Sequence, residues 1–263
     1  MLGYAQSILE LAPPEPGEKI SYGRDENQFG ELRLPEGAGL HPLAIVIHGG
    51  YWRARYDLKH IGHLCVALNK EGFATWSLEY RRLGNPGGGW PGTLDDVRAG
   101  ASHIEKIAAA RRIDLKRTIA LGHSAGGQLV LWLAKQRAIE LRGIVPLAPV
   151  ADLRRAWELK LSSNVVEEFL GGSPNQVPER YRAASPVEFA PVGIRTRILH
   201  GEADDVVPVA FSRTYVAAAK KAGDDALLIE PKGAGHFELI DPVSPKGSAA
   251  WSELKKAALS LVR

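Results

Sequence analysis

A mostly parallel β-sheet with helices on both faces, an α/β fold, is what three features of the sequence predict. Short apolar runs alternate with segments of helical character from residue 42 onward. The main runs are apolar throughout rather than at every second residue, as in strands covered on both faces. The third feature is a length of 263 residues with no long breaker-rich linker, which suits one large domain with a substantial core. Hydrophobic residues at 45% and charged residues at 24% place the chain among ordinary globular proteins rather than disordered or fibrous ones.

Residues 1–17 open with a short apolar, helix-like stretch stopped by Pro13-Pro14-Glu15-Pro16-Gly17. Lys19–Tyr22 and Gln28–Leu34 read as an antiparallel hairpin at the sheet edge, joined by the polar turn Gly23–Asn27. Pro42–His48 reads as a buried strand, Leu58–Asn69 as a helix ended before Gly72, and Phe73–Tyr80 as the next strand. A right-handed crossover makes this unit parallel. Arg81–Gly92 is dense in glycine and proline yet carries Trp90, so it is read as an ordered loop over a pocket. Thr93 is the expected cap of a helix running to about Ala110, with Asp95 and Asp96 at the positive end of its dipole.

Ile119–Leu121 is the next strand, Ala125–Ala134 a helix and Leu141–Ala148 a further strand. Residues 151–187 break the alternation. Arg154–Leu161, Val165–Leu170 and Val177–Ala184 read as short helices of a small excursion within the single domain, too short to hold a core of its own. Arg195–His200 returns as a strand, Val209–Ala222 as a helix and Ala226–Ile229 as the last strand, before an amphipathic helix over Lys246–Leu261.

Several function classes are set aside by what the sequence lacks. A formal charge of +3, with basic residues scattered among acidic ones, offers no concentrated phosphate-binding footprint, so no nucleic-acid partner is expected. Cys65 is the single cysteine, which rules out an intrachain disulfide and reads as a small buried apolar residue. The N-terminal residues lack a basic region followed by an apolar one, and no run approaches a membrane span; the cytoplasm is the expected compartment. His60 and His63 share a helix face without a carboxylate or cysteine cluster, so no metal site is expected. Neither Gly84–Gly92 nor Gly122–Gly126 completes a nucleotide-binding loop, and no cofactor is expected. No sequence mark assigns an oligomeric state.

The chemistry concentrates on Gly122-His-Ser-Ala-Gly126, which joins strand to helix with no room for an ordinary loop. A serine on so tight a turn stands above the sheet, beside the free N–H groups of a helix N-terminus. Ser124 is the candidate nucleophile. It needs a base and the base an orienting acid, and the later strands supply both at their C-terminal ends. His236, in Gly233-Ala-Gly-His236, is the candidate base, and Asp204 the candidate acid, with Asp205 and Glu202 as neighbouring alternatives. Ala125 N–H, with Gly50 or Tyr51 N–H from the His48-Gly-Gly-Tyr51 turn, would hold an oxyanion. Trp52 and Trp90 are candidate pocket residues. Side chains at neighbouring positions of a sharp turn point apart, so His123 is read as a packing or hydrogen-bonding residue rather than a base; His48 is read as a brace for its turn and His200 as support for the acid loop. This set implies cofactor-free acyl transfer onto serine from a small-molecule acyl substrate.

These motifs resemble the α/β-hydrolase superfamily. His48-Gly-Gly-Tyr-Trp52 together with Gly122-His-Ser-Ala-Gly-Gly127 resembles its esterase/lipase and kynurenine formamidase-like branch. The resemblance runs from Leu43 to Pro242 and implies Ser124, Asp204 and His236 as a triad, with Gly49-Gly50-Tyr51 as oxyanion loop. It implies a serine carboxylesterase acting on small or medium esters, or alternatively an arylformamidase acting on N-formylkynurenine. The alternative outside enzyme chemistry is a catalytically silent binding protein on the same fold.

Overall fold

The computed structural model describes residues 7–263. The first part of the expected N-terminal helix, residues 1–6, lies outside them; Ser7–Leu11 form a turn that buries Ile8. The expected edge hairpin is present as β1 (Glu18–Ser21) and β2 (Phe29–Arg33), paired antiparallel. Next come β3 (His41–Ile47), a 3-10 turn over Leu58–Ile61, α1 (Gly62–Lys70) and β4 (Ala74–Leu78). They are followed by α2 (Gly92–Ile107), β5 (Ile113–His123), α3 (Ala125–Gln136) and β6 (Gly143–Leu147).

The excursion between β6 and the next strand holds α4 (Leu153–Glu158), α5 (Leu161–Leu170), α6 (Pro178–Ala184) and α7 (Pro186–Phe189). The chain then adds β7 (Thr196–Leu199), α8 (Ala210–Lys221), β8 (Ala226–Ile229) and α9 (Ser248–Val262). The strands form one eight-stranded sheet in the order β1-β2-β4-β3-β5-β6-β7-β8. From β4 to β8 all neighbours run parallel, and β2 joins β4 antiparallel. Parallel crossovers force helices onto the faces, which is why the central strands are apolar on both sides.

Side-chain alternation along β3 shows how the two layers are built. Leu43, Ile45 and Ile47 join the cluster packed under α2, α3 and α8, whereas Ala44 and Val46 face the cluster formed with α1 and α9. In α9 the buried Ala250, Leu254, Ala257, Ala258 and Leu261 recur at helical spacing, so one stripe faces the sheet. Leu153, Val165, Phe169 and Tyr181 of the excursion join the α2–α3 cluster, so these short helices extend an existing core. No helix among the described residues is long and apolar enough to cross a membrane.

Two local expectations are corrected. Thr93 lies inside the first turn of α2 rather than capping it; its hydroxyl donates to the Arg81 carbonyl and accepts from Gly89 N–H, tying the preceding loop to the helix. That loop, Arg81–Gly92, contributes no residue to the wall of the cavity at Ser124. Trp90 N–H donates to the Phe169 carbonyl of α5 at 2.8 Å, and Arg81 grips the buried Asp96 of α2 through two nitrogens.

Candidate active site

Parallel strands deliver their following loops to one rim of the sheet, and three such loops converge here. Ser124 is the only residue between β5 and α3 and has φ +57° and ψ −117°, a conformation L-residues avoid. Such strain, of about 1–3 kcal/mol, persists only where the surroundings enforce it. Ser124 N–H donates to the Leu147 carbonyl at 2.8 Å, and two glycines allow the backbone to pass. A Cβ on Gly126 would lie 2.2 Å from the Ile47 carbonyl oxygen, and one on Gly122 would lie 2.2 Å from that of Gly126. Because those neighbours are backbone atoms of the turn and of central β3, Gly126→Ala is expected to destabilise the fold by about 3 kcal/mol or more. Urea unfolding checks this; a midpoint equal to wild type would refute the packing argument.

Asp204 follows β7 and His236 follows β8. One carboxylate oxygen of Asp204 accepts the N–H groups of Val206 (2.9 Å) and Val207 (2.8 Å), and the other lies 2.7 Å from His236 Nδ1. That contact fixes the tautomer: Nδ1 carries the proton and donates, leaving Nε2 as an acceptor. His200 supplies further support. Its Nε2 lies 2.8 Å from the Val207 carbonyl and 3.3 Å from Asp204, and its Nδ1 lies 2.7 Å from the Ser212 hydroxyl. Burial alone would raise the Asp204 carboxyl, but hydrogen bonds from His200, His236 and the loop amides outweigh it and hold the group well below the usual carboxylate range. The neighbouring alternatives, Glu202 and Asp205, are exposed.

The third loop follows β3. Gly50 has φ +104° and Tyr51 φ +51°, so the chain reverses immediately after His48. Beneath it lies a buried polar network. His48 contacts the Gly49 carbonyl through Nδ1 and Glu79 through Nε2, while Glu79 also takes Arg82 at 2.9 Å and the N–H groups of Tyr80 and Leu58. Tyr80 stacks on His48 and donates to its carbonyl. Tyr51 then reaches across the rim, its hydroxyl donating to the Val206 carbonyl of the acid loop at 3.2 Å. Burial, with Asp204 nearby, pushes that phenol up to about 12, so it stays protonated as a donor.

Ser124, His236, Gly50 and Tyr51 share the wall of one cavity of about 130 Å³. Tyr56, His60, His123 and Phe237 complete much of it, and the sequence did not mark Tyr56, His60 or Phe237 as pocket residues. The available signal was local: polar aromatic residues crowd the short aperiodic stretch after the His48 turn. His123 Nε2 lies 3.0 Å from the His236 carbonyl and its ring packs 4.4 Å from the His236 ring. Burial, and then the neighbouring His236, hold its imidazole well below its ordinary pKa, so it is neutral.

The two tryptophans do not line this cavity. Trp52 is wholly buried in the core, stacked on Phe169 at 4.4 Å, with its indole N–H donated to Gln128. Trp90 is held against α5 in the same cluster. Both are drawn inward because the excursion helices give them an apolar surface. Cys65 is buried, which pushes its thiol up to about 11 and leaves it inert. Among the described residues, no group of three or more potential ligands could hold a metal ion.

Comparison with known proteins places the chain in a family. The chain is 27% identical over 244 residues to "Uncharacterized peptidase YuxL" of Bacillus subtilis, covering 83% of this chain and 35% of that protein. It is 26% identical over 269 residues to "Probable isoprenylcysteine alpha-carbonyl methylesterase ICMEL2" of Arabidopsis thaliana, covering 92% of this chain and 63% of that one. The chain thus spans from about a third to under two thirds of the length of these relatives. Among solved structures, a truncated carbohydrate esterase from gut microbiota superposes with a TM-score of 0.79 at 20% identity, covering 98% of this chain and 99% of that one. The fold is the α/β-hydrolase fold. The BD-FAE family model matches residues 31–218, and the chain belongs to the BD-FAE family.

Proposed function

We propose that the protein is a cofactor-independent serine hydrolase that cleaves small carboxylic esters through an acyl-enzyme. The observation that carries this reading is the 2.7 Å contact from His236 Nδ1 to a buried Asp204, with His236 and Ser124 on one cavity wall. In this mechanism the Ser124 hydroxyl attacks the ester carbonyl while His236 Nε2 takes its proton. Asp204 stabilises the imidazolium that forms. The tetrahedral oxyanion accepts hydrogen bonds from Ala125 N–H, the first of α3 and without an intrahelical partner, and from Gly50 or Tyr51 N–H. His236 then gives the proton to the departing alkoxide, activates a water against the acyl-enzyme, and returns the proton to Ser124 as the carboxylic acid leaves.

Cavity size supports a short acyl group. A cavity of about 130 Å³ favours acetyl to butyryl chains over an extended fatty acyl chain. The names of the methylesterase relative and of the carbohydrate esterase neighbour agree with ester chemistry. The second reading, hydrolysis of an aryl formamide such as N-formylkynurenine, rests on His48-Gly-Gly-Tyr-Trp52; burial of Trp52 removes one of its aromatic contacts and leaves Tyr51 on the cavity wall.

Hydrolysis of p-nitrophenyl acetate, butyrate and octanoate and of N-formylkynurenine, each against Ser124→Ala, tests both readings. The expected result is a kcat/KM optimum between acetate and butyrate, with octanoate at least about tenfold lower. A long-chain optimum would overturn the acyl-size argument, and a Ser124-dependent preference for the formamide would replace the first reading with the second.

A further inference from the structure

A second hollow adjoins the cavity at Ser124. This groove, of about 270 Å³, shares Leu9, Tyr56 and His60 with the cavity and continues past Arg55, Asp57, Lys59 and His63. An ester whose acyl group fills the inner cavity would extend its alcohol portion along this groove. The groove is therefore positioned to select the leaving group.

Its charges are not balanced. Lys59 is paired with Asp57 at 3.3 Å, and Arg53, just outside the groove, is held by Glu168 at 2.9 Å. His63 Nε2 is engaged with the Ala12 carbonyl. His60 is neutral near pH 7, because burial and then the adjacent His48 push it down to about 4. Arg55 is exposed and makes no ion pair or hydrogen bond among the described residues; its guanidinium lies over the ring of Tyr56, which lines both hollows, at 4.9 Å. One uncompensated positive charge matches a single negative one.

We infer that Arg55 is a specificity-determining residue that binds a carboxylate on the leaving-group half of the substrate. The planar guanidinium offers paired donors in the geometry a carboxylate accepts, and one free cation suits a monoanion better than a doubly charged phosphate. This inference rests on the serine-hydrolase reading. It deepens that reading to esters whose alcohol or phenol carries an acid group.

The test compares kcat/KM for 4-acetoxybenzoate and its methyl ester, methyl 4-acetoxybenzoate, in wild type, Arg55→Gln, Arg55→Lys and Lys221→Gln. Taking the charged-to-neutral ratio within each protein, then its change between proteins, cancels the intrinsic difference in reactivity. Arg55→Gln is expected to lower the ratio about three- to tenfold, through KM of the charged ester, as befits a partly exposed ion pair. Arg55→Lys restores part of it, and 0.5 M salt narrows the wild-type ratio. Lys221, exposed at the far end of α8, keeps the wild-type ratio. An equal ratio in wild type and Arg55→Gln, or an equal fall in Lys221→Gln, overturns the subsite while leaving the hydrolase reading intact. Absence of Ser124-dependent cleavage of either ester overturns both.

Discussion

Ser124→Ala is expected to lower kcat/KM for p-nitrophenyl acetate by about 10⁵- to 10⁶-fold, the scale of losing the nucleophile from a serine–histidine–aspartate unit. Among the described residues the cavity wall holds no second serine, threonine or cysteine to take over the attack. The Tyr51 phenol is pushed up to about 12 and stays protonated at neutral pH, and the thiol of Cys65 lies buried in the other cluster under α1 and α9. The loss is chemical and not structural. Alanine keeps the Cβ that already occupies the left-handed position, so strain is unchanged, and no hydrogen bond from the Ser124 hydroxyl supports the fold among the described residues. Thermal unfolding within a few degrees of wild type, alongside the activity loss, is the expected pair of results. Retention of more than about a hundredth of the activity would remove Ser124 from the mechanism.

Asp204→Asn is expected to lower kcat about 10⁴-fold with a small change in KM. The reason lies in how the side chain is gripped. One oxygen already accepts two backbone N–H groups, from Val206 and Val207, so an asparagine places its carbonyl there and turns its NH₂ toward His236. An NH₂ facing Nδ1 forces that nitrogen to accept, which moves the ring proton to Nε2 and leaves no lone pair for the Ser124 proton. Stability supplies a separate readout. The Asp204 carboxyl is held below its ordinary value in the folded protein, so between the folded value and about 3.9 the unfolded chain binds more protons. Its contribution is therefore complete above about pH 4 and is lost as pH falls through the lower, folded value. Urea unfolding at pH 5 and pH 3 should show a smaller loss for Asp204→Asn than for wild type. Parallel losses would show that Asp204 carries no such linkage.

Much of this architecture is legible in the sequence, for physical reasons that differ from place to place. Pro42–His48 and Leu141–Ala148 announced central strands because burial on two faces demands unbroken apolar side chains. The tight passage from Leu121 to Ala125 announced the serine turn, because only glycines at 122 and 126 let three backbone segments meet there. Loops were harder. Arg81–Gly92 had the composition of a pocket cover, but the core beneath α5 took Trp90 and the carboxylate of Asp96 took Arg81. Nothing local in that segment encodes either partner. The same holds for Trp52, which follows the glycines of the His48 turn in sequence yet turns into the core because its backbone adopts φ +55° and Phe169 offers a stacking surface.

By itself the sequence determined the sheet's strand–helix alternation and the order in which Ser124, Asp204 and His236 arrive at its rim, because periodicity and turn chemistry act within a few residues. Only the tertiary structure decided which of Glu202, Asp204 and Asp205 faces His236. Only there did Tyr56 and His60 come to line the cavity, and Arg55 to stand near it without a counter-charge among the described residues. Those properties belong to distances between residues far apart in the chain, and a one-dimensional pattern carries no measure of such distances.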